Sequence, residues 1–234
     1  MILVTGASEG IGLACTHALL ERTDAPILIT GRSQAKLARV LADLPLGIRE
    51  RVCTMACDQA RADDVEALIA RVRTAGTIDG AVLTVGVNPT YSDGPCRLHG
   101  LETSTIEATV RTNCTHTTLL TVALLDRLRR QRSGVLVWIG SQAAAIGLPG
   151  AALYCATKSF LSGLARSAQH EYGRHGIRTH LAHPGLVRTP RTAAIVDAFA
   201  ERHGVHVNEA PDAARQVVDL FLDGDPNAVE VNLT

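Results

Sequence analysis

Tyr154 and Lys158 stand four residues apart in Tyr154-Cys155-Ala156-Thr157-Lys158, within a stretch of helical period. Residues at that spacing share one helix face, so a phenol and an ammonium can enter one site together. An unperturbed phenol titrates at about pH 10 and is a poor acid or base at neutrality. A neighbouring positive charge favours the phenolate and lowers that value. The pair is therefore expected to give a proton to a substrate oxygen or take one from it.

A second constellation lies at the start of the chain. An apolar run, Ile2–Thr5, leads directly into Thr5-Gly6-Ala7-Ser8-Glu9-Gly10-Ile11-Gly12 and then a helical pattern. A strand, a glycine turn and a helix together form a phosphate cradle. Glycine allows the tight turn and the close approach of backbone, and the helix start offers free N–H groups at the positive end of its dipole. The pattern predicts binding of a dinucleotide.

The elements that must position these groups are legible as short apolar runs alternating with longer helical stretches. The runs are Ile2–Thr5, Pro26–Thr30, Arg51–Ala56, Gly80–Val85, Val135–Ile139, Ile177–Ala182 and Val229–Leu233. They are rich in Val, Ile and Leu, as strands buried on both faces should be. Helices are expected near Ile11–Arg22, Gln34–Leu44, Ala62–Ala75, Ser104–Arg130, Ala151–His175 and Asp212–Leu222. Such alternation predicts a single α/β domain, a doubly wound (Rossmann) parallel sheet of about seven strands with helices on both faces. Two long connections, residues 86–101 and 186–211, follow strand ends, where open α/β sheets bind ligands. They carry Tyr91, Arg97, His99, Arg188 and Arg191, and an arginine among them could meet an acidic group on a substrate.

Composition removes other classes. The formal net charge is zero, which leaves no basic footprint for nucleic acid or an anionic membrane surface. No apolar run approaches the length of a membrane span. No charged and apolar leader precedes Met1–Gly6, so a cytoplasmic protein is expected. The six cysteines form no C-x-x-C pair and the nine histidines no H-E-x-x-H, so reduced thiols and no metal site are expected.

The glycine turn and the Tyr-Lys pair together resemble the short-chain dehydrogenase/reductase family, in its short one-domain form, and the resemblance covers essentially the whole chain. Ser141, thirteen residues before Tyr154, matches the family serine that hydrogen-bonds the reacting oxygen. Asn113, in Val110-Arg111-Thr112-Asn113, matches the asparagine that supports a water-linked proton relay to the lysine. Lys158 is also implied to hold the nicotinamide ribose, and Tyr154 to border the same ring. The resemblance assigns Gly6, Ser8, Gly10, Ile11 and Gly12 to cofactor binding, Asp58 to the adenine amino group, and Gly86 to the approach of the ribose. In His183-Pro184-Gly185-Leu186-Val187-Arg188-Thr189, the Val187 backbone and the Thr189 hydroxyl are implied to meet the carboxamide or a nearby phosphate.

Cofactor choice falls at the end of the second strand, Thr30-Gly31-Arg32, which lacks the carboxylate that would take the ribose hydroxyls of NAD(H). Arg32 suits a 2′-phosphate instead, so NADP(H) is expected, although Glu9 in the glycine turn argues the other way. The implied activity is reduction of a ketone or aldehyde by hydride transfer, or the reverse oxidation. An NAD-dependent alcohol dehydrogenase and a non-catalytic cofactor sensor of the same fold are the alternatives. The resemblance also implies a homotetramer or homodimer built on the last helix and strand. One departure stands out: the family's N-N-A-G after the fourth strand reads Leu83-Thr84-Val85-Gly86, losing both bracing asparagines.

Overall fold

Apolar runs become strands because a sheet covered on both faces shelters the side chains of its central strands. In the computed structural model, which describes residues 1–234, the strands are β1 (Ile2–Thr5), β2 (Ile27–Gly31), β3 (Val52–Ala56), β4 (Gly80–Leu83), β5 (Gly134–Ile139), β6 (Ile177–His183), β7 (Leu186–Arg188), β8 (Val207–Glu209) and β9 (Glu230–Asn232). Seven form one parallel sheet in the order β3-β2-β1-β4-β5-β6-β9.

Side-chain alternation divides the core between the two faces. Ile2, Val4, Val82, Val135 and Val137 point to one face, where they meet Leu19, Leu37, Val217 and Phe221 of the helices Gly10–Arg22, Gln34–Asp43 and Ala210–Asp223. Leu3, Ala81, Leu83, Leu136 and Trp138 point to the other. There they pack on Leu68, Leu120, Leu124 and Leu161 of the helices Ala62–Thr74, Thr117–Gln131 and Ala152–Tyr172. Full burial of a leucine side chain of this kind stabilises the fold by about 1.5–3 kcal/mol.

The strand order reverses between β1 and β4, and the crevice that opens there receives the glycine turn after β1 and the Leu83–Gly86 turn after β4. Two expected elements differ from the sequence reading. Residues 186–211 form no open loop: they hold β7, a helix Ala193–His203 and β8, and β7 and β8 pair in parallel as a small second sheet. The expected helix Ser104–Arg130 runs from Thr103 to Gln131 but contains a π-helical segment, Arg111–His116. No helix is long and apolar enough to cross a membrane.

Candidate active site

The glycine turn is shaped by what a side chain would strike. Gly6 adopts φ +63°, and a Cβ there would lie 2.7 Å from Thr84 Oγ1. A Cβ on Gly12 would lie 2.5 Å from the Gly6 carbonyl oxygen, so the turn closes only on glycine. The following helix, Gly10–Arg22, has no side-chain cap at Glu9, which leaves first-turn N–H groups directed at the crevice. Thr84 replaces the missing asparagine bracing: its Oγ1 donates to the Thr5 carbonyl at 2.6 Å, and its N–H donates to Thr5 Oγ1 at 3.0 Å.

Around the turn, Ser8 packs against Gly31, where a Cβ would meet Ser8 Cβ and Oγ at 3.0 Å. Ser33 caps the next helix by accepting from the Lys36 N–H at 3.2 Å. Lys36 Nζ donates to Glu9 Oε2 at 2.5 Å. That hydrogen bond, helped by the charges of Lys36, Arg191 and Arg32 and opposed by burial, holds the Glu9 carboxyl below its ordinary range. Glu9 therefore does not face the crevice as an uncompensated anion. Asp58 Oδ1 accepts from the Ala60 N–H at 3.0 Å, forming a local turn after β3.

At the far end of the crevice, Asn113, Lys158 and Gly86 converge. A Cβ on Gly86 would lie 3.1 Å from Lys158 Nζ and 3.8 Å from Asn113 Oδ1. Asn113 lies in the π-helical segment, a distortion that recurs at functional sites because it re-aims side chains and frees a main-chain carbonyl. Its Oδ1 accepts from the Val87 N–H at 2.8 Å, and its Nδ2 donates to the Val87 carbonyl at 2.8 Å and to Thr157 Oγ1 at 3.0 Å. Lys158 is 4% exposed, and its Nζ donates to the Ile139 carbonyl at 2.7 Å. Burial, with a smaller push from Arg191, lowers its pKa to about 8.

Tyr154 and Lys158 share one face of the helix Ala152–Tyr172, with Nζ 5.7 Å from the phenol ring centroid. The phenol does not titrate low, as the pairing alone predicts. Burial, reinforced by Tyr91, raises it to about 12, while Ser141 and Arg191 pull the other way. Desolvation of the phenolate is the largest influence, and the Lys158 ammonium is turned to the Ile139 carbonyl. Ser141 follows β5, and its Oγ accepts from the Ala143 N–H at 3.2 Å.

Thr189 lies against the glycine turn, its Cγ2 3.3 Å from where a Gly10 Cβ would sit. Thr192 Oγ1 links Val187 and Thr189: it donates to the Val187 carbonyl at 2.9 Å and lies 2.8 Å from the Thr189 hydroxyl. Arg188 is not free for an acidic substrate: it pairs with Asp197 at 2.6 Å and Glu209 at 2.7 Å. All six cysteines are free thiols, and no cluster of metal-ligating side chains is present. Thr84, Thr157 and Lys36 escape sequence reading because each acts through a partner brought by another element. Only the T-G-x-x-x-G-x-G turn itself could have prompted a search for the threonine across from it.

Beside Tyr154 lies a cavity of about 280 Å³ lined in part by Asn88, Thr90, Cys96, Leu101 and Thr105. Asp93 and Glu102 also border it, and no lysine or arginine does.

Against known proteins, the sequence model of the short chain dehydrogenase family matches residues 1–199. The chain is 30% identical to the 2-(R)-hydroxypropyl-CoM dehydrogenase of Xanthobacter autotrophicus, over 98% of this chain and 93% of that one. It is 29% identical to the 3-oxoacyl-[acyl-carrier-protein] reductase FabG of Staphylococcus aureus, over 86% and 79%. Among solved structures, a short-chain dehydrogenase from Sphingobium yanoikuyae, in complex with NADPH, superposes with a TM-score of 0.80 at 22% identity, covering 99% of this chain and 86% of that one.

Proposed function

Given that the chain belongs to the short-chain dehydrogenase/reductase family of oxidoreductases, we propose that it is an NADP(H)-dependent reductase of a ketone or aldehyde, also able to run the reverse oxidation. The observation that carries this reading is the convergence of Lys158, Asn113 and Gly86 within one crevice, with Tyr154 on the same helix face as Lys158 and hydrogen-bonded to Ser141.

The residues fit a dinucleotide. The glycine turn has no room for a Cβ at Gly6 or Gly12, so backbone can approach a pyrophosphate closely, and Gly6, Ser8, Gly10, Ile11 and Gly12 would hold it. Asp58 would face the adenine end, while Gly86, Tyr154, Lys158, Val187 and Thr189 would surround the nicotinamide end. When bound, the nicotinamide supplies or takes the hydride. Arg32 favours NADP(H): β2 ends in Gly31-Arg32 without a carboxylate, and the nearest acid, Glu9, is neutralised by Lys36.

The chain's own groups handle the proton. With its pKa raised to about 12, Tyr154 stays protonated at neutral pH, the form that donates to a carbonyl oxygen during reduction. The Ser141 hydroxyl hydrogen-bonds the same oxygen and stabilises the charge that develops on it. Lys158, with a pKa of about 8, exchanges its proton readily near neutrality and so can feed Tyr154 through water. Asn113 fixes Val87 and Thr157 around that route. The cavity beside Tyr154 is bordered by Asp93 and Glu102 and by no lysine or arginine, which disfavours an anionic substrate there, while Arg191 is the positive charge that acts on Tyr154 and Lys158.

The relatives' names cover both a ketone reduction and a secondary-alcohol oxidation, and the acid/base pair that serves one direction serves the other. Exposed Ile106, Val110, Leu119, Val122 and Phe160 give the long helices an apolar outer face. We therefore place the subunit contacts of a homotetramer or homodimer on those helices. The last helix offers no such face, since Val217, Val218 and Phe221 are buried within the subunit. The proposed location is the cytoplasm.

The test is a fluorescence titration with NADPH and NADH, followed by a screen of neutral ketones and aldehydes with wild type and Tyr154→Phe. Tighter NADPH binding and loss of turnover in the variant with cofactor binding intact is the expected result. Full activity in Tyr154→Phe, or binding of neither cofactor, refutes the reading.

A further inference from the structure

Behind Ser141 lies a polar chain that the proton chemistry does not use. His183, the last residue of β6, places its imidazole under the Gly140–Ser141 turn. Its Nδ1 is 3.0 Å from the Ser141 carbonyl oxygen and 3.2 Å from the Ser141 backbone nitrogen. Its Nε2 is 2.9 Å from Glu230 Oε2 on β9. Glu230 in turn accepts from Ser162 Oγ at 2.8 Å and from Arg166 Nη1 at 2.6 Å. Burial works to raise the Glu230 carboxyl, but the hydrogen bonds from His183 and Ser162 and the charge of Arg166 outweigh it and hold the group low, as carboxylate.

A carboxylate at Nε2 fixes the imidazole's hydrogen-bonding pattern, because Nε2 must carry a proton to donate to it. Nδ1 then either accepts from the Ser141 N–H, in the neutral ring, or donates to the Ser141 carbonyl, in the charged one. Both arrangements tie the ring to the Ser141 backbone. The approach is close enough to exclude a side chain: a Cβ on Gly140 would lie 2.6 Å from Nδ1. Ser162 and Arg166 stand on the same helix as Tyr154 and Lys158, so the chain connects the helix bearing the proton donor to the turn bearing the hydroxyl.

We propose that His183 and Glu230 are positioning residues that set Ser141 against Tyr154, with Ser162 and Arg166 anchoring Glu230 to the catalytic helix. The inference rests on the reading that Ser141 hydrogen-bonds the reacting oxygen. Its physical basis is that a displacement of about 1 Å in a reacting constellation can cost on the order of 100-fold in rate.

The experiment compares Ser141→Ala, His183→Ala, His183→Asn, His183→Gln and Glu230→Ala for kcat, KM and NADPH affinity. The amide of asparagine occupies the Nδ1 edge of an imidazole and that of glutamine the Nε2 edge, so the two substitutions separate the Ser141 contact from the Glu230 contact. Ser141→Ala is expected to be nearly inactive. Both His183→Ala and Glu230→Ala are expected to lose about 10- to 100-fold in kcat, with NADPH affinity within about twofold of wild type, as the glycine turn is untouched. His183→Asn, which keeps the Ser141 contact and loses the Glu230 one, should fall no further than Glu230→Ala, and His183→Gln, which loses the Ser141 contact, should fall as far as His183→Ala. A purely structural role would lower yield and cofactor binding together and would not discriminate asparagine from glutamine. Wild-type kcat in either alanine variant while Ser141→Ala is dead overturns the positioning role alone, as does equal behaviour of His183→Asn and His183→Gln, a comparison that stands even if His183→Ala does not fold. Wild-type turnover in Ser141→Ala overturns the catalytic reading beneath it.

Discussion

Replacing Lys158 by methionine should change how the stability of the cofactor-free protein responds to pH. Lys158 is buried at 4% exposure, and its pKa falls from 10.5 to about 8 because its ammonium is desolvated. The unfolded chain therefore holds this proton more tightly than the folded one. As pH rises through the folded value toward the unfolded one, the folded state gains stability, by about 2–3 kcal/mol between pH 7 and pH 10. For a chain of this size that corresponds to about 5–10 °C in Tm. Lys158→Met keeps the length and apolar stem of the side chain but has no proton to lose, so the gain should be absent from it. Tyr154, raised to about 12, acts in the opposite sense, since its phenol ionises more easily when unfolded. That loss sets in only as the unfolded phenol ionises, at about pH 10 and above, and it is common to both proteins. Urea unfolding at pH 7, 8, 9 and 10 can be followed through Trp138, the one tryptophan and itself 1% exposed. The expected result is a wild-type minus variant difference that moves in favour of wild type by at least about 2 kcal/mol across the range. A difference that stays flat with pH means that the ammonium is solvated in the folded state, and the account of Lys158 as a proton carrier near neutrality fails with it.

Two other changes follow from the packing. Thr84→Val removes the Oγ1 donor to the buried Thr5 carbonyl while preserving shape, so unfolding should become easier by about 1–2 kcal/mol, and NADPH affinity should fall because the same hydroxyl borders the glycine turn; unchanged urea midpoint and affinity would remove Thr84 as the substitute brace. The double substitution Leu119→Glu with Val122→Glu places charge on the exposed apolar face, at 48% and 58% exposure, and should lower the mass measured by light scattering without altering the circular dichroism spectrum; an unchanged mass places the subunit contacts elsewhere.

Much of this protein is legible in its sequence because local rules and tertiary demands agree there. The apolar runs that define β1, β2, β4, β5 and β6 are short, rich in Val, Ile and Leu, and buried along nearly their whole length, while β3 and β9, at the sheet edges, are only partly buried. The glycine turn is equally local: Gly6, Gly10 and Gly12 are needed by the backbone itself, whatever packs beyond. Tyr154 and Lys158 share a site because four residues on a helix return to the same face.

What the sequence could not decide depends on partners brought from far along the chain. Residues 186–211 read as a loop, yet β7 and β8 form because each supplies the other's hydrogen bonds, a pairing invisible to either three-residue segment alone. Arg188 reads as a free cation until Asp197 and Glu209 close on it. Thr84 looks like a loss until Thr5 is placed opposite. The Tyr154 pair shows the limit most sharply: spacing correctly puts an ammonium near a phenol, but the sign of the pKa shift depends on how much water remains. Burial of the phenol is the largest influence there, because desolvation is a property of the folded volume, which no local pattern of residues contains.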